Sequence, residues 1–148
     1  MRPGVRLALD WGSTRIGVAA CDPAGSLAYP VETVPAGPAA LARIRVLVEE
    51  YGPIELVLGL PRTLAGTEEL AAQRIREVAA TLTAELPGLP VRLVDERLTT
   101  ATASRRLGQA GRNTRRQRRV IDQAAAVAIL EGALDRERAT GEPPGELT

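Results

Sequence analysis

The chain has 148 residues, enough for one domain with a hydrophobic core, and no stretch approaches the roughly 20 apolar residues that span a bilayer. It contains no histidine, which excludes histidine-based catalysis and zinc sites built on histidine. A single cysteine, Cys21, excludes an internal disulfide and favours the cytoplasm. Without histidine, the hydrolytic chemistry still open is that of carboxylates with hard metal ions. The formal net charge is +1 and all 19 basic residues are arginine.

The first half of the chain predicts three strands and a helix. The strands are expected at residues 5–11, 15–22 and 27–34, where apolar runs are separated by short turns. A helix over residues 38–51 follows, because aliphatic residues recur there at helical spacing and a Gly-Pro pair then ends the pattern. Cys21 lies in an apolar stretch, and we expect it to be a small buried side chain rather than a nucleophile.

The second half alternates strands with helices. Strands are expected at 54–60 and 91–95, helices at 67–86, 99–110 and 118–138, and an arginine-rich loop at 112–117. This order predicts an α/β fold with a mixed five-stranded sheet, in which a three-stranded antiparallel meander and two parallel strands are flanked by helices, as in the ribonuclease H-like fold. We expect one domain over residues 1–138 and a flexible C-terminal tail over 139–148.

Three acidic residues occupy positions where a charge is unexpected. Asp10 ends the first apolar strand beside a glycine-bearing turn, Glu96 follows the last predicted strand, and Asp122 lies within the last helix. Ala125 and Ala126 share the helix face of Asp122 and would let that helix approach the sheet closely. Carboxylates on rigid elements can hold one or two Mg²⁺ or Mn²⁺ ions for phosphodiester cleavage, so the three acids are candidate catalytic metal ligands.

Structural interpretations of the same acids stay open. They are a side-chain turn for Asp10, an ion pair with Arg92 or Arg97 for Glu96, and an ion pair with Arg118 or Arg119 for Asp122. Asp95 is the second choice for the ligand at Glu96, because adjacent strand residues face opposite sides of a sheet and Glu96 has the longer reach.

The segment between Glu96 and Asp122 is strongly basic. It holds eight arginines and no acid, whereas the rest of the chain carries 11 arginines against 18 acids. Such a segment is typical of a surface that binds nucleic acid, and the scarcity of aromatic residues favours backbone contacts over base stacking. The alternative is a solvated surface with incidental arginines. The candidate nucleic-acid-binding residues are Arg15, Arg97, Arg105, Arg106, Arg112, Arg115, Arg116, Arg118 and Arg119.

Four ordered segments resemble the YqgF/RuvX family. They are DWGSTRIGVA at 10–19, VLGLPR at 57–62, DERLTT at 95–100 and DQAAAVAIL at 122–130. The resemblance implies a ribonuclease H-like fold, a cytoplasmic location and a divalent-metal nuclease that trims the 5′ end of precursor 16S ribosomal RNA, with the ribosome or its precursor as a partner. The family's acidic positions fall on Asp10, Glu96 and Asp122, and its first motif falls on Gly12, Arg15 and Gly17.

The family is also called Holliday-junction-resolvase-like, and this chain departs from the resolvases of the fold at two positions. They place a glutamate on the strand after the first helix, where this chain has Gly59 and Leu60, and a further acid three residues after the last aspartate, where it has Ala125. Junction cleavage is therefore the less supported of the two activities.

Functions other than a nuclease for structured RNA are also compatible with the sequence. A nuclease for branched or single-stranded DNA would use the same backbone contacts. DWGSTRIG also resembles the phosphate loop of actin-like and sugar-kinase ATPases, but those proteins need a second such lobe that has no counterpart here. A non-catalytic ribosome-assembly factor could bind RNA through the same arginines. No membrane is implied, and monomer and homodimer are both compatible with the sequence.

Overall fold

The computed structural model describes residues 1–62, 68–96 and 115–148, except for the side chains of residues 115–117. The strands are β1 (Arg6–Trp11), β2 (Arg15–Cys21), β3 (Ala28–Pro35), β4 (Glu55–Leu60), β5 (Val91–Asp95) and β6 (Glu146–Leu147). The helices are α1 (Ala40–Tyr51), α2 (Leu70–Glu85) and α3 (Arg115–Thr140). Nowhere in these ranges, α3 included, is a helix both long and apolar enough to cross a bilayer.

The five predicted strands, the first two helices and the last helix are confirmed, with their ends shifted by a few residues. The last helix begins at Arg115, so residues 115–117 are helical and the prediction of a loop there is wrong. The short helix predicted at 99–110 lies outside the described residues.

The strands form one mixed sheet in the order β3-β2-β1-β4-β5-β6. β1, β2 and β3 are antiparallel neighbours, whereas β1, β4 and β5 run parallel to one another. The predicted combination of a meander with parallel strands is therefore confirmed. Because the three parallel strands point the same way, their carboxyl ends meet at one edge of the sheet, where Asp10 and Glu96 lie.

The prediction of five strands misses one short strand. Glu146–Leu147 pairs antiparallel with β5, and the backbone N–H of Thr148 donates to the carbonyl of Val91 at 3.0 Å. The chain turns onto β5 at Gly145, whose φ of +73° suits glycine and where a side chain would overlap the carbonyl of Leu93. Pairing satisfies backbone groups that β5 would otherwise expose as an edge strand, so this part of the predicted flexible tail adds to the sheet.

Side-chain alternation along the strands divides the core into two layers. One face of the sheet carries large aliphatic residues such as Leu9 and packs against α1 and α2, which contribute Ile44 and Leu82. The opposite face packs against α3 and consists mostly of small residues. The buried side chains of this second layer include Ala8, Ala19, Cys21, Ala125 and Ala126. The small side chains let the α3 backbone lie close to the sheet, as predicted, and Cys21 is buried as expected.

A buried ion-pair network, which the sequence analysis did not predict, joins α3 to the amino ends of the parallel strands. Glu55 accepts hydrogen bonds from Arg92 Nε at 3.0 Å and from Arg2 Nη2 at 2.9 Å. Glu137 of α3 accepts hydrogen bonds from Arg6 Nη2 at 2.6 Å and from Arg2 Nε at 2.7 Å. The network therefore fixes the C-terminal half of α3 at the edge of the sheet opposite Asp10.

Candidate functional site

A cleft of about 860 Å³ opens at the carboxyl ends of β1 and β4. The three acids singled out from the sequence all line it: Asp10 at the end of β1, Glu96 just after β5, and Asp122 in the N-terminal half of α3. The fold thus brings to one cavity three carboxylates that are far apart in the sequence.

Asp10 lies in the middle of this group. Its side chain faces α3, because the adjacent Leu9 faces the other layer. Across the antiparallel ladder Asp10 pairs with Gly17, and on the parallel side it lies beside Gly59, one step beyond the pair formed by Leu9 and Leu58. Asp10 is only 7% exposed, and the glycines on its two sides leave room for the α3 backbone at Asp122 and for the Glu96 side chain.

The turn that follows Asp10 is closed by the backbone. The N–H of Gly12 donates to the carbonyl of Arg15 at 2.9 Å, and a β-carbon at position 12 would lie 2.7 Å from that oxygen, which explains the glycine. A backbone hydrogen bond therefore closes this turn, and the Asp10 side chain lines the cleft.

Glu96 reaches over β4 toward Asp10. A β-carbon at Gly59 would lie 3.0 Å from both Cγ and Oε1 of Glu96, and 2.8 Å from Cδ1 of Ile129 in α3. Because position 59 has no side chain, the glutamate can occupy the surface of β4 beneath α3.

Asp95, the second choice for this ligand, lies on the other side of the sheet. It pairs with Leu60, which belongs to the layer under α1 and α2, so strand alternation places Asp95 and Glu96 on opposite faces. Arg92, one of the two arginines considered as partners of Glu96, donates to Glu55 of the buried network. Arg97 lies outside the described residues.

Asp122 is held over β2 by an ion pair and by close backbone packing. Its Oδ2 accepts a hydrogen bond from Arg15 Nε at 2.7 Å. A β-carbon at Gly17 would overlap the backbone carbonyl of Asp122, so glycine allows α3 to rest directly on β2. Asp122 thus pairs with an arginine from a distant strand, a partner that the structural interpretation of this residue did not include.

The donor chemistry of the three acids suits a hard divalent cation. Asp122 over β2 and Glu96 over β4 flank Asp10 on β1, and neighbouring strands lie about 4.8 Å apart. Across the described ranges, no three acidic, cysteine or histidine side chains lie close enough together to hold one ion. The cleft thus offers two neighbouring carboxylate pairs, Asp10 with Glu96 and Asp10 with Asp122, and the guanidinium of Arg15 lies against Asp122.

Part of the predicted arginine-rich surface lies beside the cleft. Arg118 and Arg119 are exposed in α3, one turn before Asp122. Thr33 of the edge strand β3 donates to the carbonyl of Arg119 at 2.9 Å and accepts a hydrogen bond from Gln123 Nε2 at 3.0 Å. Neither Thr33 nor Gln123 has a local pattern that predicts this docking. The side chains of Arg97, Arg105, Arg106, Arg112, Arg115 and Arg116 are outside the described part of the chain.

The cleft continues beyond the acids into the groove between α1 and α2. Trp11, Leu41 and Val78 form half-buried apolar walls there, and Arg74 contributes a charged side chain. Helical spacing marks Leu41 and Val78 as core positions, so the sequence pattern alone does not reveal that they also line a cavity.

The sheet order and the position of the acids define a ribonuclease H-like protein. The chain is similar to RuvC of Thermus thermophilus in complex with a Holliday junction substrate, with a TM-score of 0.60 and 16% identity over 94% of this chain and 98% of that chain. Another T. thermophilus RuvC structure gives a TM-score of 0.57 at 16% identity, covering 96% and 99% of the two chains. At 16% identity this structural similarity bears on the fold alone, and it confirms the predicted ribonuclease H-like fold.

The chain belongs to the RuvX family, whose model, described as "Holliday junction resolvase", matches residues 4–136. A relative from Streptomyces coelicolor is 57% identical over 148 residues, covering 99% of this chain and 89% of that protein. A relative from Thermobifida fusca is 52% identical over 154 residues, covering 99% and 97%. Both relatives are named "Putative pre-16S rRNA nuclease". The family predicted from four short motifs is confirmed.

Proposed function

We propose that this protein is a divalent-metal-dependent nuclease that processes the 5′ end of precursor 16S ribosomal RNA. The observation that carries the proposal is the convergence of Asp10, Glu96 and Asp122 on one cleft beside exposed arginines of α3. The names of the relatives point to the RNA. We place the protein in the cytoplasm with precursor ribosomes, where the thiol of Cys21 stays reduced.

Mg²⁺ or Mn²⁺ would be held by Asp10 together with Glu96 on one side and Asp122 on the other. When bound, such an ion activates water and stabilises the leaving oxygen of a phosphodiester. Two of these carboxylates are held in place by the protein, because Asp10 is on a central strand and the Asp122 side chain is anchored by Arg15. Asp95 is not part of the proposed set, since it faces the other layer of the core.

The proposal is tested by incubating the purified protein with an RNA that spans the 5′ end of precursor 16S rRNA. Cleavage should require Mg²⁺ or Mn²⁺, stop in EDTA, and give products with defined ends. RNA binding without cleavage under any of these conditions would favour a non-catalytic assembly factor.

Cleavage of DNA junctions is the second candidate function, because the family model carries that description. The positions at which resolvases of this fold add acids are occupied here by Gly59, which lies beneath Glu96, and by Ala125, which is fully buried against the sheet. A four-way DNA junction offered beside the RNA under the same conditions separates the two substrates. We expect the RNA to be cleaved faster.

Replacing Gly17 by alanine should mainly lower stability, whereas replacing Gly59 by alanine should mainly lower activity. Gly17→Ala presses on the α3 backbone, so we expect a loss of about 1–3 kcal/mol in the free energy of unfolding. In Gly59→Ala the nearest atoms to the new β-carbon belong to the side chains of Ile129 and Glu96 and not to a backbone. We therefore expect a loss below about 1 kcal/mol, with activity at least about tenfold lower because Glu96 is displaced. Thermal melts and initial rates measure both effects. Full activity in Gly59→Ala would exclude Glu96 from the site.

Neutralising Arg118 and Arg119 should weaken RNA binding and flatten its salt dependence. Each phosphate contact contributes about 0.7–0.9 to the slope of log K against log salt. The double variant Arg118→Gln/Arg119→Gln should therefore lower the slope by about 1–2 when binding is measured in EDTA. Extending the change to Arg115 and Arg116 should lower it further.

The matched control is Arg45→Gln/Arg136→Gln, which removes two exposed arginines from α1 and from the far end of α3. We expect this variant to bind RNA with the slope of the wild type. If both double variants change the slope equally, the arginines beside the cleft are ordinary solvated surface.

A further inference from the structure

Arg15 uses only one edge of its guanidinium within the protein. Its Nε donates to Asp122 Oδ2 at 2.7 Å. Among the described residues, its terminal nitrogens Nη1 and Nη2 have no hydrogen-bond or ion-pair partner. The side chain is 31% exposed, and it lies beside Asp122, which lines the cleft.

The backbone of Arg15 is rigidly placed. Arg15 begins β2, where its carbonyl accepts a hydrogen bond from the N–H of Gly12 and the residue pairs with Pro35 of β3. The preceding carbonyl, that of Thr14, accepts a hydrogen bond from Ala36 at 3.0 Å. A side chain built on such a fixed turn can hold a partner in one position.

Docking of α3 at this end does not depend on Arg15 alone. The α3 backbone rests on Gly17, and Thr33 bonds to both Arg119 and Gln123. The ion pair between Arg15 and Asp122 is therefore an addition to a helix that is already anchored, and what it fixes is the orientation of one carboxylate.

We propose that Arg15 acts with both edges at once: Nε positions the Asp122 carboxylate, and the Nη edge binds a phosphate of the substrate next to the three acids. The inference rests on the proposed nuclease function and adds a positioning and phosphate-binding residue to it. A planar guanidinium has five N–H donors in a fixed fork and can serve two anions, whereas the compact ammonium of lysine cannot reproduce that geometry.

The positioning role is tested by titrating Mn²⁺ without RNA, with binding followed by electron paramagnetic resonance. Arg15→Gln should weaken Mn²⁺ binding about 10- to 100-fold, as loss of a group that orients a metal ligand does. In an Asp122→Asn background, Arg15→Gln should weaken Mn²⁺ binding no further, because the carboxylate that Arg15 orients is already absent. If Arg15 acted through its charge alone, Arg15→Gln would instead tighten Mn²⁺ binding, because a nearby cation would be removed.

The phosphate-binding role is tested in EDTA with an RNA oligonucleotide that covers the 5′ end of precursor 16S rRNA. Arg15→Gln should lower the slope of log K against log salt by about 1. The decrease should be the same in the wild-type background and in an Asp122→Asn background. The control Arg45→Gln removes a guanidinium paired with Glu85 on the surface and should change neither the RNA slope nor Mn²⁺ binding.

Arg15→Lys keeps the charge and removes the fork. We expect it to recover one of the two binding properties and not both, and recovery of both would overturn the two-edge proposal. Tighter Mn²⁺ binding in Arg15→Gln, or an unchanged RNA slope, would also overturn it. If the wild type itself neither binds Mn²⁺ nor cleaves RNA, the nuclease function fails; if it does both and Arg15→Gln matches it, only the role of Arg15 fails.

Discussion

Asp10→Asn should lower the rate of RNA cleavage by at least about a thousandfold, equivalent to about 4 kcal/mol of transition-state stabilisation. In the proposed site this carboxylate is shared by two carboxylate pairs, with Glu96 and with Asp122, so its loss would remove a ligand from each. RNA binding measured in EDTA should stay within about twofold of the wild type, because in the proposed site arginines, and not Asp10, contact the phosphates.

The same variant should remain folded. Asparagine has nearly the shape of aspartate, and a neutral group removes repulsion between clustered carboxylates, so we expect a Tm within about 3 °C of the wild type or slightly above it. A marked fall in Tm would indicate that Asp10 is structural.

Asp95→Asn is the matched control for Asp10→Asn. Its side chain lies on the opposite face of the sheet, so it should retain most of the activity. If both variants cleave RNA at the wild-type rate, the activity comes from a contaminant, and the protein is an RNA-binding factor.

Glu137→Gln should destabilise the protein by about 3–5 kcal/mol, because it leaves buried Arg6 without a charged partner. The side chains of Arg6 and Glu137 are only 2% and 3% exposed, so water cannot replace the lost pair. For a domain of this size the loss corresponds to a fall in Tm of about 10 °C or more. Thermal and urea unfolding at neutral pH measure it.

Asp135→Asn provides the control on the same helix. Asp135 pairs with Arg138 at the surface and its side chain is 74% exposed, so its loss should cost less than about 0.5 kcal/mol. Equal destabilisation by the two substitutions would show that the buried network adds nothing specific.

The pH dependence of stability gives a second signature of the network. Burial alone would raise the pKa of Glu137, but the hydrogen bonds from Arg2 and the charges of Arg6 and Arg2 together lower it below its ordinary 4.5. A carboxyl whose pKa is lower when folded adds stability above its unfolded pKa, and this is lost as the pH falls through the folded value. The wild type should therefore lose stability below about pH 4.5 more steeply than Glu137→Gln does.

Features that follow local rules could be predicted from the sequence. The apolar run at Val91–Asp95 predicted a strand with those bounds, and its two-residue period separates Asp95 from Glu96 as expected. Ala125 and Ala126 predicted a close approach of α3 to the sheet, because small side chains on one helix face leave room for a neighbouring backbone.

Features that depend on the register between distant segments could not be predicted. Arg15 and Asp122 are 107 residues apart, and Arg92 and Glu55 are 37 apart, so nothing local distinguishes these pairs from other arginines and acids. The strand at Glu146–Leu147 has two residues, too few for any periodicity, and it forms because β5 offers it an edge.

The most direct test of the central claim is a structure of the protein with Mn²⁺ bound, with the ions located by their anomalous scattering. We predict ions within about 2.0–2.6 Å of carboxylate oxygens of Asp10, shared with Glu96, with Asp122 or with both. Ions bound elsewhere, or a cleft that stays empty at Mn²⁺ concentrations that support RNA cleavage, would contradict the account.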